Sequence, residues 1–246
     1  MKYLAPGITI LILLIGITVA AQEFEKNLTS FDKIVVSPKI NLILEKGDQE
    51  SIRIRYSNID AGKINIEVTN GKLQLYLDNA KVIDKRERTD EYNSKMSIYR
   101  NAEVTAYVTY AYLTALEIRG EQEVTCLSKL ENDKFKLKVY GESEVTLESL
   151  YTQKFKAVAY GENKIKIKEG KANYQRYRLY GENKIDTRAL ASSTVSTTIY
   201  GEGRLTINAS DEVRISAFGE PQINVSGTSY INKGIIIGRV DIRKNN

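Results

Sequence analysis

The sequence predicts an all-β protein, a right-handed β-helix or related β-solenoid with coils of about 20 residues, preceded by a strand-rich N-terminal region. The first observation is a repeat: glycine followed by glutamate recurs at Gly120, Gly141, Gly161, Gly181, Gly201 and Gly219, with spacings of 21, 20, 20, 20 and 18 residues. The last five glycines each follow an aromatic residue, namely Tyr140, Tyr160, Tyr180, Tyr200 or Phe218. The second is periodicity. Apolar residues on both sides of each glycine recur two apart, where a helix would need them three and four apart. Units of two or three short strands, repeated at a fixed period with no helical segment, bury their apolar sides by stacking on one another.

Residues 1–21 read as a signal peptide. Lys2 supplies a short positive region, Ile8 to Ile17 an apolar core, and Val19-Ala20-Ala21 the small residues needed for cleavage before Gln22. An uncleaved anchor is the alternative, because Leu4 to Ala21 is almost continuously apolar. Spanning a bilayer takes about 20 apolar residues, and Pro6 interrupts this run, which favours cleavage. No later run is long enough to cross a membrane. The expectation is an exported chain without a membrane span once mature, destined for the periplasm, the outer-membrane surface or the exterior.

Residues 22–77 form the N-terminal β region. FDKIVVSPKINLILEKG, SIRIRYSN, KINIEV and KLQLYL alternate apolar with polar residues, and Asn70-Gly71 between the last two is a strong signal for a two-residue hairpin turn. Residues 78–97 are charged and unpatterned, as expected of a loop between two β regions. The solenoid then occupies residues 98–246, entered through AEVTAYVTYAYLTALEI.

Equal register in successive coils predicts columns. Val124, Val145, Ile165, Ile185, Leu205 and Ile223 make one inward column, and Cys126, Leu147, Ile167, Thr187, Ile207 and Val225 its neighbour. A third, on the strand before the turn, is Ile118, Val139, Ala159, Leu179, Ile199 and Ala217. Cys126 is therefore a small core residue rather than a reactive thiol. The corner glycines supply a backbone conformation that a β-carbon resists. Asn163 and Asn183 stack into a short amide ladder. The corner glutamates stack as well, and at about 4.8 Å two carboxylates repel by roughly 1 kcal/mol in water. Such a column must stay exposed and paired, with Lys164, Lys184 and Arg204 as counter-charges, or else hold calcium; the paired arrangement is the simpler expectation.

Composition narrows the function. Histidine and tryptophan are absent and Cys126 is the single cysteine. Serine–histidine and cysteine–histidine nucleophile pairs, imidazole metal sites and intrachain disulfides are excluded. The net charge of +5 is dispersed, and no motif for nucleic acid is present. No catalytic, cofactor-binding or metal-binding residue is assigned.

The candidate binding face is the outward side of the strand before each turn. There Tyr140, Tyr160, Tyr180 and Tyr200 stack beside Lys136, Lys156 and Arg176, and beside Lys138 and Arg178. Aromatic planes with adjacent cations suit an acidic polysaccharide or an envelope protein. The plainer reading is that the tyrosines only stack on one another for stability. An enzyme acting on polysaccharide is the alternative function, since paired carboxylates serve as acid and base. However, a catalytic pair should interrupt a repeat, and these glutamates follow it; Asp186 alone breaks an outward column otherwise made of Thr146, Lys166 and Thr206. Unpaired strands at the solenoid ends would need capping, or pairing with a second copy in a homo-oligomer.

FDKIVV, VTNGKLQLYL, AYVTYAYLTALEI and the serial glycine turns together resemble the auto-transporter adhesin head GIN domain family (DUF2807), over about residues 31–228. The resemblance implies an exported bacterial β-solenoid and suggests adhesion. Members of that family usually carry small residues such as Gly-Ser-Gly at the turns, whereas this chain has Gly-Glu-Asn and Gly-Glu-Ser. No segment after the repeat has room for a translocator barrel, so an auto-transporter mechanism is not carried over.

Overall fold

The computed structural model of the protein describes residues 21–83, 85–89 and 94–245. The expected leader therefore lies outside the described residues except for Ala21. The strands in chain order are β1 (Gln22–Asn27), β2 (Lys33–Val36), β3 (Asn41–Lys46), β4 (Ser51–Ser57), β5 (Ile64–Thr69), β6 (Lys72–Leu77), β7 (Arg86–Thr89), β8 (Ser94–Ser97), β9 (Glu103–Tyr110) and β10 (Ala115–Gly120). They continue as β11 (Glu123–Gly141), β12 (Glu144–Gly161), β13 (Lys164–Ile167), β14 (Gly170–Gly181), β15 (Lys184–Tyr200), β16 (Arg204–Gly219), β17 (Gln222–Ser226), β18 (Tyr230–Gly238) and β19 (Asp241–Asn245). A single 3₁₀ turn, Ala61–Lys63, is the one helical element among the described residues, capped by the Asp60 carboxylate on the Gly62 amide at 2.8 Å. The fold is a β-solenoid of about 7 turns.

From β10 onward every strand pairing is parallel. Parallel strands ordinarily need long crossovers; here the rest of the coil is the crossover. Each coil has three sides, seen in β11 against β12. Glu123–Cys126 lies on Glu144–Leu147, Lys129–Asn132 on Ser149–Thr152, and Lys134–Gly141 on Lys154–Gly161. The one extra residue of the 21-residue spacing is absorbed as an irregularity between Cys126 and Lys129, where Leu127 is exposed. The short spacing at the other end is absorbed between Asp186 and Ala191 and again between Ser192 and Thr194. Both irregularities lie away from the glycine corner, so the corner register is kept.

The predicted inward columns form. Val124, Val145, Ile165, Ile185, Leu205 and Ile223 are register partners in sequence, and all are buried. So are Ile118, Val139, Ala159, Leu179, Ile199 and Ala217. Cys126 is fully buried and 3.5 Å from the Tyr110 hydroxyl, and burial pushes its thiol pKa up. One polar knot interrupts this interior: the Tyr177 hydroxyl bonds Gln175 and Thr187, and Gln175 donates to the Leu190 carbonyl at 2.9 Å.

Two N-terminal strands belong to the stack itself. β2 pairs in parallel with β6 on one side and β10 on the other, and β3 does the same between β9 and β11. The segment joining β2 to β3, with Pro38 and a positive φ of 70° at Lys39, serves as a corner without glycine. Antiparallel strands close this end: β5 on β6, β4 on β9, and β1 on β4. Asn70 and Gly71, both with positive φ, make the hairpin turn that their identities predict. The excursion between β6 and β9 carries the β7–β8 hairpin, and Tyr99 ties its base down by donating to the Asp78 carbonyl at 2.8 Å. At the opposite end β18 and β19 are the last strands, leaving Tyr230, Ile235 and Ile237 exposed.

Candidate functional site: a stacked aromatic and cationic face

The site is built on the glycine corners. Each corner sits where coil backbones approach closely: the Glu162 amide donates to the Gly141 carbonyl at 2.9 Å, and the Glu182 amide to the Gly161 carbonyl at 3.0 Å. The glycines have φ near +100°, and a β-carbon on Gly161 would lie 2.2 Å from the Gly141 oxygen. Only glycine fits.

Just inside the corner the asparagine ladder forms and is fully buried. Asn163 donates through its amide to the Asn183 side-chain oxygen at 2.9 Å, and each asparagine donates back to the carbonyl of the tyrosine three residues earlier. The ladder therefore fixes the backbone of Tyr160 and Tyr180 from within.

Outside the corner the aromatics stack continuously. Ring centroids are 5.3 Å apart from Tyr140 to Tyr160, then 4.3 Å to Tyr180, 4.9 Å to Tyr200 and 4.6 Å to Phe218, all within 8° of parallel. Such contacts contribute about 0.5–1.5 kcal/mol each beyond burial. The ring edges still reach water, with Tyr160 40% and Tyr200 38% exposed.

Two outward columns of cations run beside the rings. Lys138, Val158 and Arg178 form the nearer one, and Lys136, Lys156 and Arg176 the farther one. Glu117 neutralises part of the nearer column, accepting from Lys138 at 3.0 Å and from Arg119 at 2.9 Å. Burial works to raise the Glu117 pKa, but these two cations outweigh it and hold the carboxyl below the usual range. Lys156 is shifted the other way, its ammonium pushed below the usual lysine range by lost hydration first and then by Lys136, Arg178, Arg176 and Lys138.

All nine sequence-predicted face residues thus share one outer surface. The alternation also continues two residues upstream, to Lys134 and Lys154, which the sequence reading did not include; the same period-two rule identifies them. Tyr112 and Lys33 join from remote segments to line a groove with Lys136, Lys156, Tyr174 and Arg176, and no local pattern announces them.

The corner glutamates behave differently from expectation. They are exposed, but Lys164 pairs with Glu144 and Arg204 with Gln222, so neither neutralises the column. Among the described residues, Glu121 has an ion-pair partner, Lys39, at 3.8 Å. Among the described residues no group of three acidic, cysteine or histidine side chains is placed to hold a metal. Asp186 is held by Arg188 at 2.9 Å.

A family model described as "Putative auto-transporter adhesin, head GIN domain" matches residues 30–229. The chain belongs to this family. Solved structures resemble this head GIN domain protein in fold. One is a "putative adhesin" from Bacteroides fragilis, 19% identical, with a TM-score of 0.77 over 93% of this chain and 98% of that one. Another is a "putative adhesin" from Parabacteroides distasonis, 18% identical, with a TM-score of 0.69 over 92% and 97%. A "putative lipid binding protein" from the same species is 12% identical, with a TM-score of 0.67 over 92% and 97%. At these identities the likeness is one of fold. No curated protein matches the chain in sequence.

Proposed function

We propose that the chain is an exported, non-enzymatic, adhesin-like or scaffold binding module of the bacterial envelope. Its working surface is the face of Tyr140, Tyr160, Tyr180 and Tyr200 with Lys136, Lys138, Lys156, Arg176 and Arg178, and its partner is an extended molecule, an acidic polysaccharide or an envelope protein. One observation carries this reading. Five parallel rings run unbroken across five coils beside columns that carry cations, with the ring edges of Tyr160 and Tyr200 open to water. Regular, elongated faces of this kind suit extended partners, and rigid aromatics bring contact area at low entropic cost. The adhesin descriptions of the family and of its relatives point the same way.

A pulldown with purified envelope glycans and intact cells tests it. Wild type should be retained, and Tyr160→Ser with Tyr180→Ser should lose retention while keeping its β circular dichroism. Absence of retention for wild type, or full retention by the folded double variant, contradicts the reading.

A further inference from the structure

Several charges on these strands are paired with a neighbouring opposite charge. Lys168 pairs with Glu148 of the preceding coil at 2.6 Å, Lys164 with Glu144, and Arg214 with Glu212 at 3.0 Å. The upstream half of the tyrosine face, like the column of corner glutamates, is not paired in this way. Lys134, Lys154 and Tyr174 form one column, and Lys136, Lys156 and Arg176 the next. Successive members stand about 4.8 Å apart, a spacing at which like charges on adjacent strands destabilise a sheet. Yet among the described residues these five cations have no carboxylate partner within ion-pair distance. Burial first, and then the neighbouring Lys136, Arg178, Arg176 and Lys138, lower the Lys156 pKa. The array stops after three coils, where Thr194 and Ser196 take over the two columns. Over it lies a groove of about 670 Å³, walled by Tyr112 and Tyr174, with Asp133 as the lone acid in its lining.

We propose that this groove binds a uronate-bearing polysaccharide lengthwise across three coils, an assignment that rests on the strand face being the binding surface and names its ligand class. A pyranose ring advances an extended glycan by nearly one coil step. Carboxylates spaced along the glycan then meet cations spaced along the coils, while the apolar ring faces pack on Tyr112 and Tyr174. A neutral glycan lacks the anions, and a folded acidic protein does not present one charge per coil step. Such a ligand relieves the uncompensated repulsion of the free protein.

Calorimetric titration of the protein with polygalacturonate tests this, with dextran as the neutral control and single-stranded DNA of equal charge as the polyanion control. Polygalacturonate should bind, and less tightly as salt rises. Dextran should not bind, and DNA should bind more weakly. Replacing Lys136, Lys156 and Arg176 by Gln should weaken polygalacturonate binding by at least about tenfold. Replacing the exposed Lys166, Lys171 and Lys184 by Gln, an equal loss of charge elsewhere, should change it by less than about twofold. The assignment is overturned if wild type does not bind polygalacturonate, if the two triple variants weaken equally, or if DNA binds as tightly. If polygalacturonate fails while cell and glycan retention still depends on Tyr160 and Tyr180, the ligand class is wrong and the binding face stands. Loss of both overturns both.

Discussion

Glu117 sits where the tyrosine corner meets the cation columns, and its carboxylate decides how much positive charge the face presents. It is largely enclosed, and its two cationic partners hold its pKa below the usual carboxylate value against the opposing effect of burial. A carboxyl with a depressed folded-state pKa contributes stability that is present above its unfolded pKa and lost as pH falls through the folded one. Glu117→Gln should therefore cost about 1–2 kcal/mol at pH 7, and the gap to wild type should narrow on acidification below the normal carboxylate range. Urea unfolding at several pH values reads this directly. The pairing was hidden in the sequence because Glu117, Arg119 and Lys138 come together from adjacent coils and the arms of one short strand, a geometry that alternation alone does not orient. The Asn163–Asn183 ladder was legible, because both residues occupy the same place relative to Gly161 and Gly181. The loss of counter-charge at the corner glutamates was not. Lys164 reaches sideways to Glu144 in the register-matched position of the preceding coil rather than back to the corner, and which acid a lysine selects depends on strand registry at the level of a few ångströms.

At the scale of the coil, the glycine corner is the element that sets everything else. At Glu142, Glu162, Glu182 and Glu220 the amide after the glycine bonds the glycine carbonyl of the coil before, so corners stack backbone on backbone and carry the tyrosines and asparagines with them. Gly161→Ala would combine a positive φ of 104° with a β-carbon 2.2 Å from the Gly141 oxygen. The expected cost is at least about 2–3 kcal/mol, with the aromatic near-ultraviolet circular dichroism of the tyrosine stack reduced; unchanged stability and spectrum would argue against close-stacked corners. The Gly-Glu recurrence made these corners legible from the sequence. The β2–β3 corner was not, since Pro38 and a left-handed Lys39 replace the glycine. Chain order conceals its place too: β2 and β3 are inserted between layers contributed by residues far downstream, so their partners are non-local.

Over the whole molecule, one end is closed by antiparallel strands and the other presents parallel strand edges with exposed isoleucines. Between them the coil register turns a 20-residue sequence period into rows of like residues on the surface: rings, carboxylates and cations. The candidate face was visible in the sequence because it repeats. The groove was only half visible, because Tyr112 and Lys33 reach it through the fold and not through the repeat. Everything assigned to that face requires consecutive coils to lie in direct register. Nitroxide spin labels on Glu142→Cys, Glu162→Cys and Glu182→Cys, at three exposed corner positions with Cys126 buried and unreactive, measure this in solution. Labels stacked at about 4.8 Å per coil should give one exchange-narrowed line in the triple variant, whereas a spectrum equal to the sum of the three single-label spectra would show that the corners do not stack and would contradict the account.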